Sequence, residues 1–445
     1  FGLGEPNEAY AKYFVGNSYL KPLTDPKKTV FMANVTFEPK CRNNWHIHKS
    51  ARGGGQILLC VDGRGWHVEE GKEPQELHPG DVVTIPANVK HWHGAAKNSW
   101  FSHIAIECPG ENASTEWLET VSAALCGRAP AYLVVHHMEP DHSACIKSFL
   151  EAYPSAVVVS SAKAFSMMQS YFGEAFENRR IVVKEGDELP LGKHTLTFIG
   201  AAMVHWPEVV MSYEKAENTL FSADAFGKFG ALDADDSDWA CEARRYYFGI
   251  VGKFGAAAQN VLKKAAALDV KRICPLHGPV LSSNLSYYLD LYKTWSSYEA
   301  ESEGVFIAYT SVYGHTEEAA ELLKTKLEKN GQKVVISDLA RCDMSEAVED
   351  AFRYDRLVLA TTTYNGDVFP FMSAFVHHLT GLNYQNRTIG VIENGSWAPT
   401  AAKTLKGLLE NCKNVVFCEP VVTVNAALSG ESRQKIAELA AALSK

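Results

Sequence analysis

Short runs of β-branched and aromatic residues, each closed by Gly, Pro or Asn, fill the chain up to about residue 118; those at 29–35, 56–61 and 81–85 are the clearest. Regular short strands with turn signals between them predict an all-β sandwich or barrel. From about 119 to 300 the pattern mixes two periods: 131–135, 195–199 and 209–213 read as strands, and 143–152 and 165–172 as helices. The stretch 293–304, rich in Ser and Glu, reads as a linker or late helix. Beyond it, strands are expected at 305–309, 333–337, 356–361, 388–393 and 415–423, with helices near 316–330, 371–381, 399–410 and 431–443. Such alternation predicts a parallel sheet with helices on both faces. The expected domains are therefore 1–118, 119–300 and 301–445.

Composition narrows the function classes. The chain has 445 residues and a net charge of −9, with no basic tract, which argues against nucleic acid or an anionic membrane as partner. No apolar run approaches the roughly 20 residues of a membrane helix, and no secretory leader is visible. Ten cysteines are scattered singly with no C-x-x-C pair, so reduced thiols and a cytoplasmic location are expected. The sixteen histidines are more telling, because most fall in two bursts, at 46–103 and 136–142.

The second burst holds the densest chemistry. His137, Glu139, Asp141 and His142 form an H-x-E-x-D-H cluster directly after the apolar run 131–135, and Pro140 is expected to keep that loop from becoming helical. Four ligand-type side chains within six residues can surround a metal pair. His205, Asp224 and His277 follow, each near a strand end beside Gly or Pro. Glu139 stands where zinc hydrolases of the H-x-H-x-D-H type carry a second His. A carboxylate there is a harder ligand and lowers the charge of the site, which suits iron redox chemistry; zinc hydrolysis is the alternative. The set resembles the metallo-β-lactamase-like domain of flavodiiron proteins (A-type flavoproteins). That resemblance implies one iron on His137, Glu139 and His205, a second on Asp141, His142 and His277, and Asp224 as the bridge. Trp206 and Tyr213 are expected to pack nearby.

The third segment opens with an apolar strand running into Ser311-Val312-Tyr313-Gly314-His315-Thr316 and then a helix. Backbone N–H groups and hydroxyls at a helix N-terminus suit a phosphate, and the absence of G-x-G-x-x-G and of a Walker Lys disfavours dinucleotides and nucleoside triphosphates. The run resembles the flavodoxin phosphate loop [ST]-x-x-G-x-T. Two further strand-end loops agree: Thr362, Thr363, Tyr364, Asn365 and Gly366 in one, and Asn394, Gly395, Ser396 and Trp397 in the other. The resemblance implies FMN, with Tyr364 or Trp397 stacked on its ring.

In the first segment His46 and His48, two apart, point to one face of a strand. With Gln56, Gly63, Gly80, Pro86 and His91 they resemble the two motifs of small cupins grouped with carboxymuconolactone decarboxylase-like proteins. The family's ligands map onto His46, His48, Gln56 and His91 and imply one divalent metal; Gln56 stands for the usual Glu, Asn88 for a Gly and Ala95 for the final Asn. His93 and His103 are further candidates around that site.

Together these resemblances imply a flavodiiron oxidoreductase passing electrons from FMN to two irons, reducing O2 to water or NO to N2O. They also imply an external donor such as a rubredoxin or reductase, a homodimer or higher oligomer with the flavin of one subunit near the irons of another, and an accessory cupin. An FMN electron carrier with an inactive metal site is the other alternative. The cupin and flavodiiron resemblances meet at 117–118, so the metal domain is expected to lack its first strands and to leave a sheet edge unpaired, and residues 115–119 could belong to either domain.

Overall fold

A computed structural model describes residues 1–118, Leu125, 128–230 and 238–445. The chain divides into two compact units, Phe1–Pro130 and Ala131–Lys445.

The first unit is the expected double sheet. Its strands include β1 (Ser18–Pro22), β2 (Met32–Phe37), β3 (Trp45–Lys49), β4 (Gln56–Gly63), β5 (Gly65–Glu69), β6 (Val82–Ile85), β7 (Lys90–Ala95), β8 (Phe101–Glu107) and β9 (Ser114–Leu118). One sheet runs β1-β2-β8-β4-β6 and the other contains β5-β7-β3-β9, all antiparallel. Period-two alternation turns Phe37, Leu58, Ile85 and Phe101 inward, each worth about 1.5–3 kcal/mol of apolar burial. The same alternation buries His46, His48, His91 and His93. Residues 114–118 form β9, which pairs along the whole of β3, with Trp117 opposite His46. Residue 119 lies outside the described residues.

The second unit begins with a parallel three-stranded sheet, β10 (Tyr132–Val134), β11 (Val157–Ser161) and β12 (Arg180–Val183), in that order. Among the described residues nothing pairs with the outer edge of β10. A five-stranded sheet follows in chain order: β13 (Glu188–Leu191), β14 (His194–Gly200), β15 (Val210–Glu214), β16 (Thr219–Phe221) and β17 (Arg272–Cys274). Pro140 departs from expectation. It opens a helical turn, Pro140–Ser143, because a proline is well placed at the first helical position, where its missing N–H costs nothing. The helix expected at 143–152 is Ile146–Ala152 (α1), and that expected at 165–172 is Ala162–Phe172 (α2), capped by the Ser161 side chain.

Three helices of this module were not expected from the sequence, α3 (Trp239–Ile250), α4 (Gly255–Ala265) and α5 (Leu285–Ser296), and neither was Met344–Arg353 in the next. The stretch 293–304 is accordingly no linker; α5 fills its start and β18 (Ser302–Tyr309) its end. The remaining elements are α6 (His315–Lys329), β19 (Val334–Asp338), α7 (Met344–Arg353), β20 (Tyr354–Tyr364), α8 (Pro370–Gly381), β21 (Arg387–Asn394), α9 (Ala401–Leu409), β22 (Val415–Phe417), β23 (Val422–Val424) and α10 (Gly430–Leu443). Their sheet runs β19-β18-β20-β21-β22, all parallel, with β23 also on β21. The strand expected over 415–423 is split because Pro420 has no N–H for the ladder. This is a doubly wound flavodoxin-like sheet whose order reverses between β18 and β20, the position at which such folds bind ligands.

The metal and flavin modules share a core. Phe248 of α3 stacks on Phe352 of α7 at 4.0 Å. Fully buried Arg244 reaches both carboxylate oxygens of Glu301 at 2.7 Å and also pairs with Glu349.

Candidate metal centre and flavin pocket

Four segments at strand ends bring the seven predicted metal ligands into one cluster. His137, Glu139, Asp141 and His142 lie on the segment leaving β10, and His205 lies between β14 and β15. Asp224 follows β16 and His277 follows β17; the Leu276 N–H donates to the Ala223 carbonyl at 2.8 Å and ties these last two loops together. Donor atoms of His137, Glu139, His205 and Asp224 gather within 4.8 Å of one another, and those of Asp141, His142 and His277 form a second group. His205 Nε2 lies 3.0 Å from Glu139 Oε2 and 3.2 Å from Asp224 Oδ2. Across the cluster His142 Nε2 lies 3.0 Å from Asp224 Oδ1, and His277 Nε2 lies 3.0 Å from Asp141 Oδ2. Asp224 thus presents one oxygen to each group.

Four imidazoles and three carboxylates, with donor atoms turned inward, fit a pair of divalent or trivalent ions of borderline hardness. The electrostatics agree. Burial pushes the Asp224 carboxyl up, but hydrogen bonds from His142 and His205 outweigh it and hold the group well below the usual carboxylate range. His142 and His205 are shifted upward: burial opposes their charge, and Asp224 more than compensates. A cavity of about 250 Å³ opens on Glu139, Asp141 and His277 and is walled by Lys228, Phe229, Tyr246 and Ile250. Tyr246 is held protonated by burial and by Asp224.

Several residues here carried no readable motif. Glu208 accepts from His137 Nδ1 at 2.7 Å. Trp206 packs edge-on to His137 at 5.2 Å, whereas the Tyr213 hydroxyl bonds Asn218 and the Asp269 carbonyl instead. His136, next to the cluster, takes no part in it; its Nε2 is 2.8 Å from Ser212 Oγ, and burial lowers its pKa to about 4.

At the switch point of the flavodoxin-like sheet, a cavity of about 550 Å³ brings together all three predicted loops. Ser311, Val312, Tyr313, His315 and Thr316 line it, with Thr362 to Gly366 and Asn394 to Trp397; of the predicted residues only Gly314 does not. Gly314 instead caps α6 at φ 88°, a conformation that favours glycine, and its N–H donates to Ser311 Oγ at 3.1 Å. Ala398, Thr400 and Ala426 complete the wall. Tyr313 and Trp397 stand 89% and 91% exposed, far more than packing aromatics would be. Hydroxyls, a helix N-terminus and open aromatic faces are the parts a flavin mononucleotide needs.

In the first unit His46, His48 and His91 bring donor atoms together and are buried. His48 Nε2, His91 Nε2 and Gln56 Oε1 are buried with no hydrogen-bond partner. Burial holds all three histidines neutral, His91 at about 4. His93 takes Asn43 on one side (2.9 Å) and His103 on the other (3.0 Å), so these two histidines form a buried relay beside the triad. His67, unremarked in the sequence, is also buried, with neither ring nitrogen hydrogen-bonded.

The folds and sites define a cupin, a metallo-β-lactamase-like module and a flavodoxin-like module. The family descriptions that match are "Cupin domain" over 33–102, "ODP family beta lactamase" over 102–278 and "Flavodoxin domain" over 306–419. The nitric oxide reductase of Moorella thermoacetica is 29% identical over 316 residues, covering 69% of this chain and 79% of that protein. The anaerobic nitric oxide reductase flavorubredoxin of Salmonella arizonae is 23% identical over 369 residues, covering 80% and 75%. Among solved structures, the rubredoxin oxygen:oxidoreductase of Desulfovibrio gigas superposes with a TM-score of 0.66 at 24% identity, over 72% of this chain and 83% of that one. The flavodiiron protein of Giardia intestinalis gives 0.65 at 22%, over 70% and 78%. The chain thus joins a cupin domain to the metallo-β-lactamase-like and flavodoxin modules, and over those two modules it is similar to flavodiiron proteins.

Proposed function

We propose that the protein is a flavin- and diiron-dependent oxidoreductase that reduces O2 to water, NO to N2O, or both. The observation that carries this reading is the seven-donor cluster bridged by Asp224, on the same chain as a flavin-sized cavity. His137, Glu139 and His205 would hold one iron and Asp141, His142 and His277 the other. Such a pair supplies one-electron steps at each ion and, with FMN as entry point, accepts electrons delivered singly or in pairs. The chain's own groups do the rest. Asp224 spaces the two positions, Phe229 and Ile250 limit water at the cavity wall, and Tyr246 offers a neutral O–H there. Glu139 in place of a histidine argues against the zinc hydrolase alternative. The relatives' names, nitric oxide reductase and rubredoxin oxygen:oxidoreductase, support both gases.

Finer points belong to the same proposal. Ser311 and Thr316 hold the FMN phosphate, Gly314 gives their loop its turn, and Tyr364 or Trp397 covers the ring. A rubredoxin-type protein or a reductase supplies electrons, and a homodimer sets the flavin of one subunit by the irons of its partner. His46, His48, Gln56 and His91 hold one divalent metal in the cupin. The setting is cytoplasmic; no helix among the described residues is long and apolar enough to cross a membrane. The test is rapid mixing of anaerobically reduced, iron- and FMN-loaded protein with O2 or NO. Flavin reoxidation that depends on the irons supports the reading; reoxidation at the same rate in iron-free protein contradicts it.

A further inference from the structure

Glu208 stands behind the metal centre rather than in it. Its Oε1 accepts from His137 Nδ1 at 2.7 Å and from the Met138 N–H at 2.9 Å. Both the His137 and Glu208 side chains are fully buried. Ser161 Oγ donates to the Glu208 carbonyl at 2.7 Å and holds its backbone in place. The other oxygen, Oε2, is buried with no hydrogen-bond partner. The carboxylate charge is therefore spent on one imidazole. It fixes the His137 tautomer with the proton on Nδ1, leaving Nε2 to face Glu139 Oε2 at 3.3 Å and Asp224 Oδ2 at 3.4 Å.

The other three histidines of the centre meet carboxylates only through Nε2; among the described residues no carboxylate pairs with Nδ1 of His142, His205 or His277. Around shared Asp224, each position otherwise has the same donors: His137, His205 and Glu139 on one side, His142, His277 and Asp141 on the other. The ligands' formal charges match; Glu208 breaks the match behind His137, while buried Lys228 stands in the cavity wall by Asp141 and His277. A carboxylate on the far nitrogen makes an imidazole a stronger donor, and a buried negative charge one ring away is poorly screened.

We infer that Glu208 is a positioning residue that makes the two metal positions inequivalent, tightening binding on the His137 side and favouring the more oxidised ion there. The inference rests on the dinuclear reading above. Glu208→Gln keeps an oxygen for His137 and Met138 and removes only the charge. Full-length, FMN-loaded, metal-stripped protein, with the cupin triad removed by His46→Ala and His91→Ala in both samples, is titrated with Co(II) alone and followed by its visible absorption. Wild type should fill in two resolved steps. In the variant the tighter step should weaken roughly 10- to 100-fold while the other stays, and in iron-loaded protein the two reduction steps should draw together with the FMN couple unmoved. Identical isotherms and iron potentials in wild type and variant would overturn the inference. A single unresolved step in wild type would overturn it even if the variant does not fold. Wild type that takes cobalt in two steps but, loaded with iron, consumes neither gas would sink the functional reading and leave this one standing.

Discussion

His142 Nε2 and His277 Nε2 approach to 3.1 Å, and each also faces a carboxylate oxygen, Asp224 Oδ1 and Asp141 Oδ2 respectively. Two imidazole lone pairs at that separation repel unless a proton or a cation lies between them. With carboxylates on both sides, a metal ion satisfies all four groups. Chelation should therefore lower the melting temperature of the second unit by at least several degrees, since a ligand at 100 times its Kd adds about 2.7 kcal/mol. Calorimetry with and without chelator checks this; an unchanged transition contradicts it.

The flavin pocket offers a sharper contrast. Trp397 is 91% exposed, so Trp397→Ala should leave the melting temperature of flavin-free protein unchanged while shifting the absorption and potential of bound FMN. Ser311→Ala and Thr316→Ala each remove a hydroxyl from the phosphate loop and should weaken FMN roughly 10-fold or more, the worth of a hydrogen bond to a charged group. Fluorescence titration with FMN reads both effects.

Acid should unfold the cupin in its metal-free form. His46, His48, His67, His91, His93 and His103 are all lowered by burial, His91 to about 4 and His103 to about 3. Between those values and the ordinary 6.5 the unfolded chain binds more protons than the folded one, so stability rises with pH. Going from pH 6.5 down to 5, His91 and His103 should each cost about 2 kcal/mol. Calorimetry of the full chain across that range should show the first unit's transition falling steeply, and added divalent metal should blunt the fall.

Arg244 is the buried cation between two modules. Replacing it with Met strands buried Glu349 and leaves half-buried Glu301 to Trp295 Nε1 and Arg353, and should destabilise the second unit by about 3–5 kcal/mol. Arg244→Met, Glu301→Gln, Glu349→Gln and the triple change in a denaturant series separate the loss of the pair from the cost of the stranded carboxylates.

The metal and flavin sites were readable because their residues come in dense local runs at strand ends: six residues carry four ligands, and three loops carry the flavin wall. The parallel strands of the third module were legible because they are continuous apolar runs. Helix α7 was not, although its apolar and polar residues segregate cleanly, because it is only ten residues long and runs directly into β20. Helix α3 carries Trp239, Tyr246, Tyr247 and Phe248 around its surface because it is wedged between modules, which blurs a 3.6-residue period. Glu208 was invisible for a different reason. It lies three residues beyond His205 yet serves His137, and only the fold brings those loops together. His67 is one histidine on one strand, and no spacing marks it.

The most direct test of the account is to reconstitute the full chain anaerobically with iron and FMN, count both per chain, and follow O2 and NO consumption in wild type and Asp224→Asn. The account predicts two irons and one FMN in the metal and flavin modules, consumption of at least one gas, and loss of that consumption with loss of iron, but not of FMN, in the variant. Full FMN with less than one iron per chain would mean that the centre does not assemble behind the open edge of β10. Wild type and Asp224→Asn consuming gas equally would contradict a role for the bridged pair.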